Sequence, residues 1–90
     1  MMKITEGVIT RKEEDGNTLL ILTGEDGTIE SIIVNDIGTE VLNLCKKGFD
    51  QNMIIEHMMN TYRVPDNTNL KEDINFFIDS LIERGWIRNG

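Results

Sequence analysis

Hydrophobic positions follow a strand pattern over the first third of the chain and a helical spacing afterwards. Val8-Ile9-Thr10-Arg11, Thr18-Leu19-Leu20-Ile21-Leu22-Thr23 and Thr28-Ile29-Glu30-Ser31-Ile32-Ile33-Val34 are short runs rich in β-branched and aliphatic residues. Asp15-Gly16-Asn17 and Asp26-Gly27 separate them, and these residue types tolerate the positive φ of a tight hairpin. The pattern predicts a three-stranded antiparallel meander with strands over 7–13, 18–23 and 28–34. Beyond residue 35 the apolar positions recur at three and four. Ile37, Val41, Leu44 and Cys45 mark a first helix over 36–47, opened by Asn35 or Asp36 and stopped at Gly48. Asp50 caps a second over 51–63, with Ile54, Ile55, Met58, Met59 and Tyr62 on one face. Val64-Pro65 ends it, because a residue before proline avoids the α region. Thr68 or Asn69 caps a third over 69–84, Asn69 and Glu72 having capping-box spacing. Three strands followed by three helices is an α+β arrangement with the helices on one face of the sheet.

Length allows one domain over 1–90 with a single modest core. Nothing resembles a linker, a repeat or a low-complexity segment. No apolar run approaches the roughly 20 residues of a membrane helix, and the start, Met1-Met2-Lys3-Ile4-Thr5-Glu6, lacks the apolar stretch of a signal peptide. A lone Cys45 forms no internal disulfide. These features lead to the expectation of a cytoplasmic protein. Charge narrows the partners further: nine basic residues against 16 acidic give a net charge of −7. A nucleic-acid binder needs a basic face to replace phosphate counterions, and here the basic residues are scattered. A neutral or cationic partner is expected instead, with neither nucleic acid nor membrane.

Candidate chemistry is sparse. His57, the only histidine, sits among apolar residues of the second helix, with no cysteine or histidine at ligand spacing. Cys45 lies on the apolar face of the first. Isolated residues of these types are usually packing or surface residues. Glu13-Glu14-Asp15 and Glu25-Asp26 fall at hairpin tips, where solvation accounts for them. Glu25-Asp26-Gly27 has neither the length nor the spacing of a calcium loop. Gly24-x-x-Gly27 lacks the lysine and helix start of a phosphate loop. The expectation is a non-enzyme without metal or cofactor.

Two surface features remain. The third predicted strand is the edge of the meander, apolar and free of the lysine or proline that blunts most edges. Either the N-terminal segment or a symmetric copy covers it, or it is left for another chain to pair with. On the third helix, at about 100° per residue, Leu70, Ile74, Phe77 and Leu81 share one sector, with Ile78 beside it. Phe76 falls about a third of a turn away, near Asp73 and Ser80. It either widens the core contact or lines a groove.

From Ile32 to Trp86 the chain resembles the PqqD family, named for the pyrroloquinoline quinone biosynthesis protein D. The resemblance rests on Ile33-Val34-Asn35-x-x-Gly38-x-x-Val41-Leu42-x-Leu44-Cys45-x-x-Gly48, on Ile54-Ile55, and on Asp73-x-x-x-Phe77-x-x-x-Leu81-x-x-Arg84-Gly85-Trp86-Ile87. It implies a winged-helix-like RiPP recognition element (RiPP: ribosomally synthesised and post-translationally modified peptide). Such a domain binds the leader of a precursor peptide as an antiparallel strand on its third strand and packs leader side chains against its third helix. It then presents the precursor to a separate enzyme, such as a radical SAM protein or a leader peptidase. Carried onto this sequence, the strand contacts are Glu30, Ser31, Ile32, Ile33 and Val34, and the helix contacts are Asp73, Phe76, Phe77, Ser80 and Arg84. Phe77 is core or groove, since its sector faces inward. Proline at Ile32 or Val34 is expected to abolish binding. The competing readings are a winged-helix DNA-binding regulator, which the acidic third helix disfavours, and a homodimeric accessory subunit paired through its own edge strand.

Overall fold

Glycine at two hairpin tips sets the register of the main sheet. The structure, a computed structural model, describes residues 2–62 and 68–89. Gly16 and Gly27 adopt φ of +90° and +84°, a left-handed region that favours glycine. Each closes a three-residue loop in the same way. The Glu13 amide donates to Asn17 O at 2.8 Å and the Gly16 amide to Glu13 O at 3.2 Å; the Gly24 amide donates to Thr28 O at 2.7 Å and the Gly27 amide to Gly24 O at 3.0 Å. The loops join β2 (Ile9–Lys12), β3 (Thr18–Thr23) and β4 (Ile29–Val34) in the order β2-β3-β4, all antiparallel. The expected strand over 7–13 is confined to Ile9–Lys12.

Residue pairs in an antiparallel ladder alternate between hydrogen-bonded and non-bonded. Starting from the Gly24–Thr28 bond, the bonded pairs between β3 and β4 are Leu22–Glu30, Leu20–Ile32 and Thr18–Val34, given the observed register. Starting from Glu13–Asn17, those between β2 and β3 are Arg11–Leu19 and Ile9–Ile21. The two assignments agree, because alternate residues of the central strand serve opposite neighbours. The peptide groups of Glu30, Ile32 and Val34 therefore face β3, while those of Ile29, Ser31 and Ile33 face the open edge.

The same alternation sorts the side chains. Thr18, Leu20 and Val34 are buried on the inner face, and Ile9, Ile29 and Ile33 are exposed on the outer one. Helix α1 (Asp36–Lys46) covers the inner face, tied to it by the buried Thr18–Thr39 hydroxyl pair at 2.7 Å. Asn35 caps α1 by accepting from the Gly38 amide at 2.9 Å, and Asp50 caps α2 (Gln51–Thr61) by accepting from the Met53 amide at 2.9 Å. Each such cap is worth about 1 kcal/mol. Helix α2 stops at Thr61, with Tyr62 as its C-cap; the expected stop at Val64-Pro65 lies outside the described residues. Helix α3 runs Thr68–Glu83. Thr68 and Asn69 are already helical, so the capping position precedes them and lies outside the described residues.

Val41, Leu44 and Cys45 of α1, Ile54 and Met58 of α2, and Ile74, Ile78 and Leu81 of α3 meet Leu20 and Val34 in one core. Burying a side chain of this size contributes about 1.5–3 kcal/mol.

A second sheet was not apparent from the sequence. β1 (Met2–Ile4) pairs antiparallel with β5 (Ile87–Asn89), Met2 opposite Asn89 and Ile4 opposite Ile87. The Thr5 amide continues the pairing to Trp86 O at 3.0 Å, and the Thr5 hydroxyl donates to Gly85 O. Met2, Trp86 and Ile87 are buried there, with β1 against α1 and β5 against α3. Trp86-Ile87-Arg88, expected as an extended tail, is thus clamped by the N-terminal residues.

Candidate functional site

Because β1 pairs with β5, it does not cover β4. Among the described residues, no strand pairs with the free edge of β4. The two Ile residues that bracket that edge, Ile29 and Ile33, are 71% and 66% exposed.

Two concavities lie along α3, one bordering β4 and one just past its end. Glu30, Ser31 and Ile32 of β4, with Arg84 and Trp86 after α3, line the first, of about 400 Å³. The second, of about 220 Å³, lies between the start of α1 and the first half of α3, and its lining includes Asn35, Gly38, Leu70, Asp73 and Phe77. The beginning of β4 thus faces the end of α3, and the end of β4 faces the beginning of α3, so the two run antiparallel across a groove. Gly38 allows the close approach at its narrow end. A Cβ there would stand 2.9 Å from Val34 Cβ and 3.0 Å from Phe77 Cζ.

The expected site residues divide among these places. Glu30, Ser31, Ile32 and Arg84 meet in the first concavity, and Asp73 and Phe77 in the second. Phe77 is both core and groove, half-buried against the core cluster while lining the concavity. Val34 is 5% exposed with its peptide group toward β3, so it belongs to the core. Ile33 points to the outer face, away from α3. Phe76, 75% exposed, lines neither concavity. At about 100° per residue it stands roughly 60° from the Asp73–Ser80–Arg84 stripe, on the side away from the core. Ser80, half-buried, lies within that stripe and outside both linings. Sequence reasoning did not place Trp86 in the site. Its position in the Arg84-Gly85-Trp86 motif was a signal, but long-range pairing through the Thr5 amide, together with its own amide bond to Leu81 O at 2.8 Å, holds it at the groove.

Charged side chains stand at both ends of the groove, Asp73 in the second concavity and Glu30 with Arg84 in the first. Glu30 and Arg84 line the same concavity without pairing; the ion pair found among the described residues is Arg11–Glu13, at 2.9 Å. The groups considered for chemistry lie elsewhere. Burial pushes the Cys45 thiol up, away from the thiolate a nucleophile requires. His57 is exposed and meets Phe49 edge-on, with ring centroids 6.0 Å apart. No group of three or more His, Cys, Asp or Glu side chains able to hold a metal occurs among the described residues. No helix among them is long and apolar enough to cross a membrane.

The fold and groove define a small α+β domain with an open strand edge beside a helix. Residues 20–87 match the family model described as coenzyme PQQ synthesis protein D (PqqD), and the chain belongs to that family. No curated protein matches it. Among solved structures, the chain is similar to TbiB1 in complex with the TbiA(beta) leader peptide. That likeness has a TM-score of 0.73 at 18% identity and covers 98% of this chain and 96% of that one.

Proposed function

We propose that this chain binds the leader segment of a ribosomally made precursor peptide by strand addition to β4 beside α3. It then presents the precursor to a separate modifying enzyme, such as a radical SAM protein, or to a leader peptidase. The observation that carries this reading is the open edge of β4, whose three outward peptide groups lie beside a groove on α3. Membership of the PqqD family and the leader peptide bound to TbiB1 support it.

An antiparallel guest exchanges main-chain bonds with Ile29, Ser31 and Ile33 and runs from the second concavity toward the first. About six bonds at roughly 0.5–1.5 kcal/mol net each are offset by the roughly 2–5 kcal/mol of ordering a disordered segment together with the roughly 4–15 kcal/mol of lost translational and rotational freedom. The main chain alone therefore gives weak binding, and side chains in the two concavities supply affinity and selection. Asp73 and Phe77 contact the guest near its start, Ser80 midway and Arg84 near its end, with exposed Phe76 at the rim. The net charge of −7 speeds association with a basic leader, an effect that salt suppresses.

The test is titration of a precursor peptide encoded beside this chain into isotope-labelled protein. The amides of Ile29, Ser31 and Ile33 are expected to shift with saturable binding. Binding that leaves all three unmoved would show that the guest sits elsewhere.

A further inference from the structure

The outer face of the sheet, opposite the helices, carries apolar side chains that the groove does not use. Ile9 and Ile21 face each other across β2 and β3, and Leu19 faces Ile33 across β3 and β4. The central-strand members, Leu19 and Ile21, are half-buried because each has a strand on both sides. Ile33 is paired on one side only and remains 66% exposed; Ile29, beside Thr23, is 71% exposed. What these two lack is a strand on their free side, where the unpaired peptide groups also point.

A second copy packed on this face fits poorly. Both ends of the sheet are acidic, with Glu13, Glu14 and Asp15 at one hairpin tip and Glu25 and Asp26 at the other. Aligned packing of two such sheets sets like charges against each other, on chains that each carry −7. An added strand next to β4 meets no such conflict and covers both isoleucines.

We infer that the guest is read on both of its faces, with Ile29 and Ile33 selecting apolar side chains at two outward guest positions four residues apart. This rests on strand addition to β4. In an antiparallel pair, residues directly opposite lie on the same face with Cβ atoms about 4.5–5.5 Å apart. Guest residues opposite Ile33 and Ile29 therefore point outward, away from α3. Those opposite Ile32 and Glu30 point into the groove. Ser31, midway, is small and leaves the outward guest position between the two isoleucines less constrained. The ligand class is a segment with apolar side chains at two outward positions four apart, in contrast to a strand recognised from the helix side alone, whose outward positions are free to be polar.

The probe is a displayed library of randomised dodecapeptides selected on the full chain, each winner assigned to its site by amide shifts. Winners that move the Ile29, Ser31 and Ile33 amides are expected to carry aliphatic or aromatic residues at two outward positions four apart. The double variant Ile29→Thr, Ile33→Thr keeps strand propensity and alters exposed side chains. It should melt like the parent and bind the same winners roughly fivefold more weakly, at about two- to threefold per cross-strand pair. Edge-binding winners with unconstrained outward positions, or undiminished affinity in the double variant, overturn this inference and leave strand addition standing. Winners that never move the edge amides overturn both. A dimer in sedimentation of the free chain that the double variant dissolves assigns the two isoleucines to a second copy and overturns the inference.

Discussion

Proline scanning along β4 separates binding from folding, because the ladder assigns each peptide N–H to one side. Ser31 N–H faces the open edge, so Ser31→Pro removes no bond to β3. Its own effect on stability is confined to fitting the proline φ into an edge strand, on the order of the roughly 1 kcal/mol span of strand propensities. In the complex, the guest carbonyl opposite Ser31 loses its donor and meets the pyrrolidine ring. An unmade hydrogen bond in a desolvated pairing costs about 1–3 kcal/mol, and displacement of the neighbouring bonds adds to it. Affinity for a leader peptide is thus expected to fall by about 30-fold or more. Ile32→Pro does the reverse. It deletes the Ile32 donor to Leu20 at the centre of the β3–β4 ladder and is expected to lower the melting temperature strongly. Proline at Ile32 or Val34, expected from the sequence to abolish binding, acts instead through the fold, because both N–H groups face β3. Calorimetric titration and thermal melting of the two variants give four numbers. A Ser31→Pro protein that melts near the parent and binds as tightly refutes edge pairing at Ser31.

Three further outcomes follow from the packing. Gly38→Ala brings a methyl within 2.9 Å of Val34 Cβ and 3.0 Å of Phe77 Cζ. Overpacking of about 1–3 kcal/mol outweighs a helix-propensity gain of at most about 1 kcal/mol, so the melting temperature should drop by several degrees; an unchanged or raised value contradicts the tight approach. Thr39→Val leaves the buried Thr18 hydroxyl without its 2.7 Å partner and should cost about 1–3 kcal/mol, part of which the double variant Thr18→Val, Thr39→Val recovers in denaturant unfolding. Tyr62 donates to Glu40 at 2.7 Å, and this bond, with burial and the Glu40 and Asp36 charges, raises the phenol above its ordinary 10.0. A raised phenol stabilises the fold fully below about pH 10 and loses that contribution as pH climbs through the raised value. Phenolate absorbance of this lone tyrosine should titrate late, and Glu40→Gln should bring it earlier.

What the sequence determined by itself is local. Apolar spacing distinguished three strands from three helices. Asp-Gly and Asp-Gly-Asn tips marked the hairpins, and Asn35 and Asp50 marked helix starts, because turns and caps are satisfied by residues within a few positions of one another. An unblunted edge was legible in Ile29 to Val34 for the same reason. Long-range pairing decided the rest. β1 and β5 have three residues each, too few to show a period, and they form only because the chain's two ends are brought together over α1 and α3. That pairing kept the N-terminal segment off β4 and helped to hold Trp86 at the groove. Parity was the other tertiary decision. A shift of one residue in the β3–β4 register would exchange inner for outer face and bonded for open peptide groups together. Whether Ser31 or Ile32 offers its N–H to a guest, and whether Ile33 or Val34 enters the core, therefore depended on how Gly24 and Thr28 closed the hairpin.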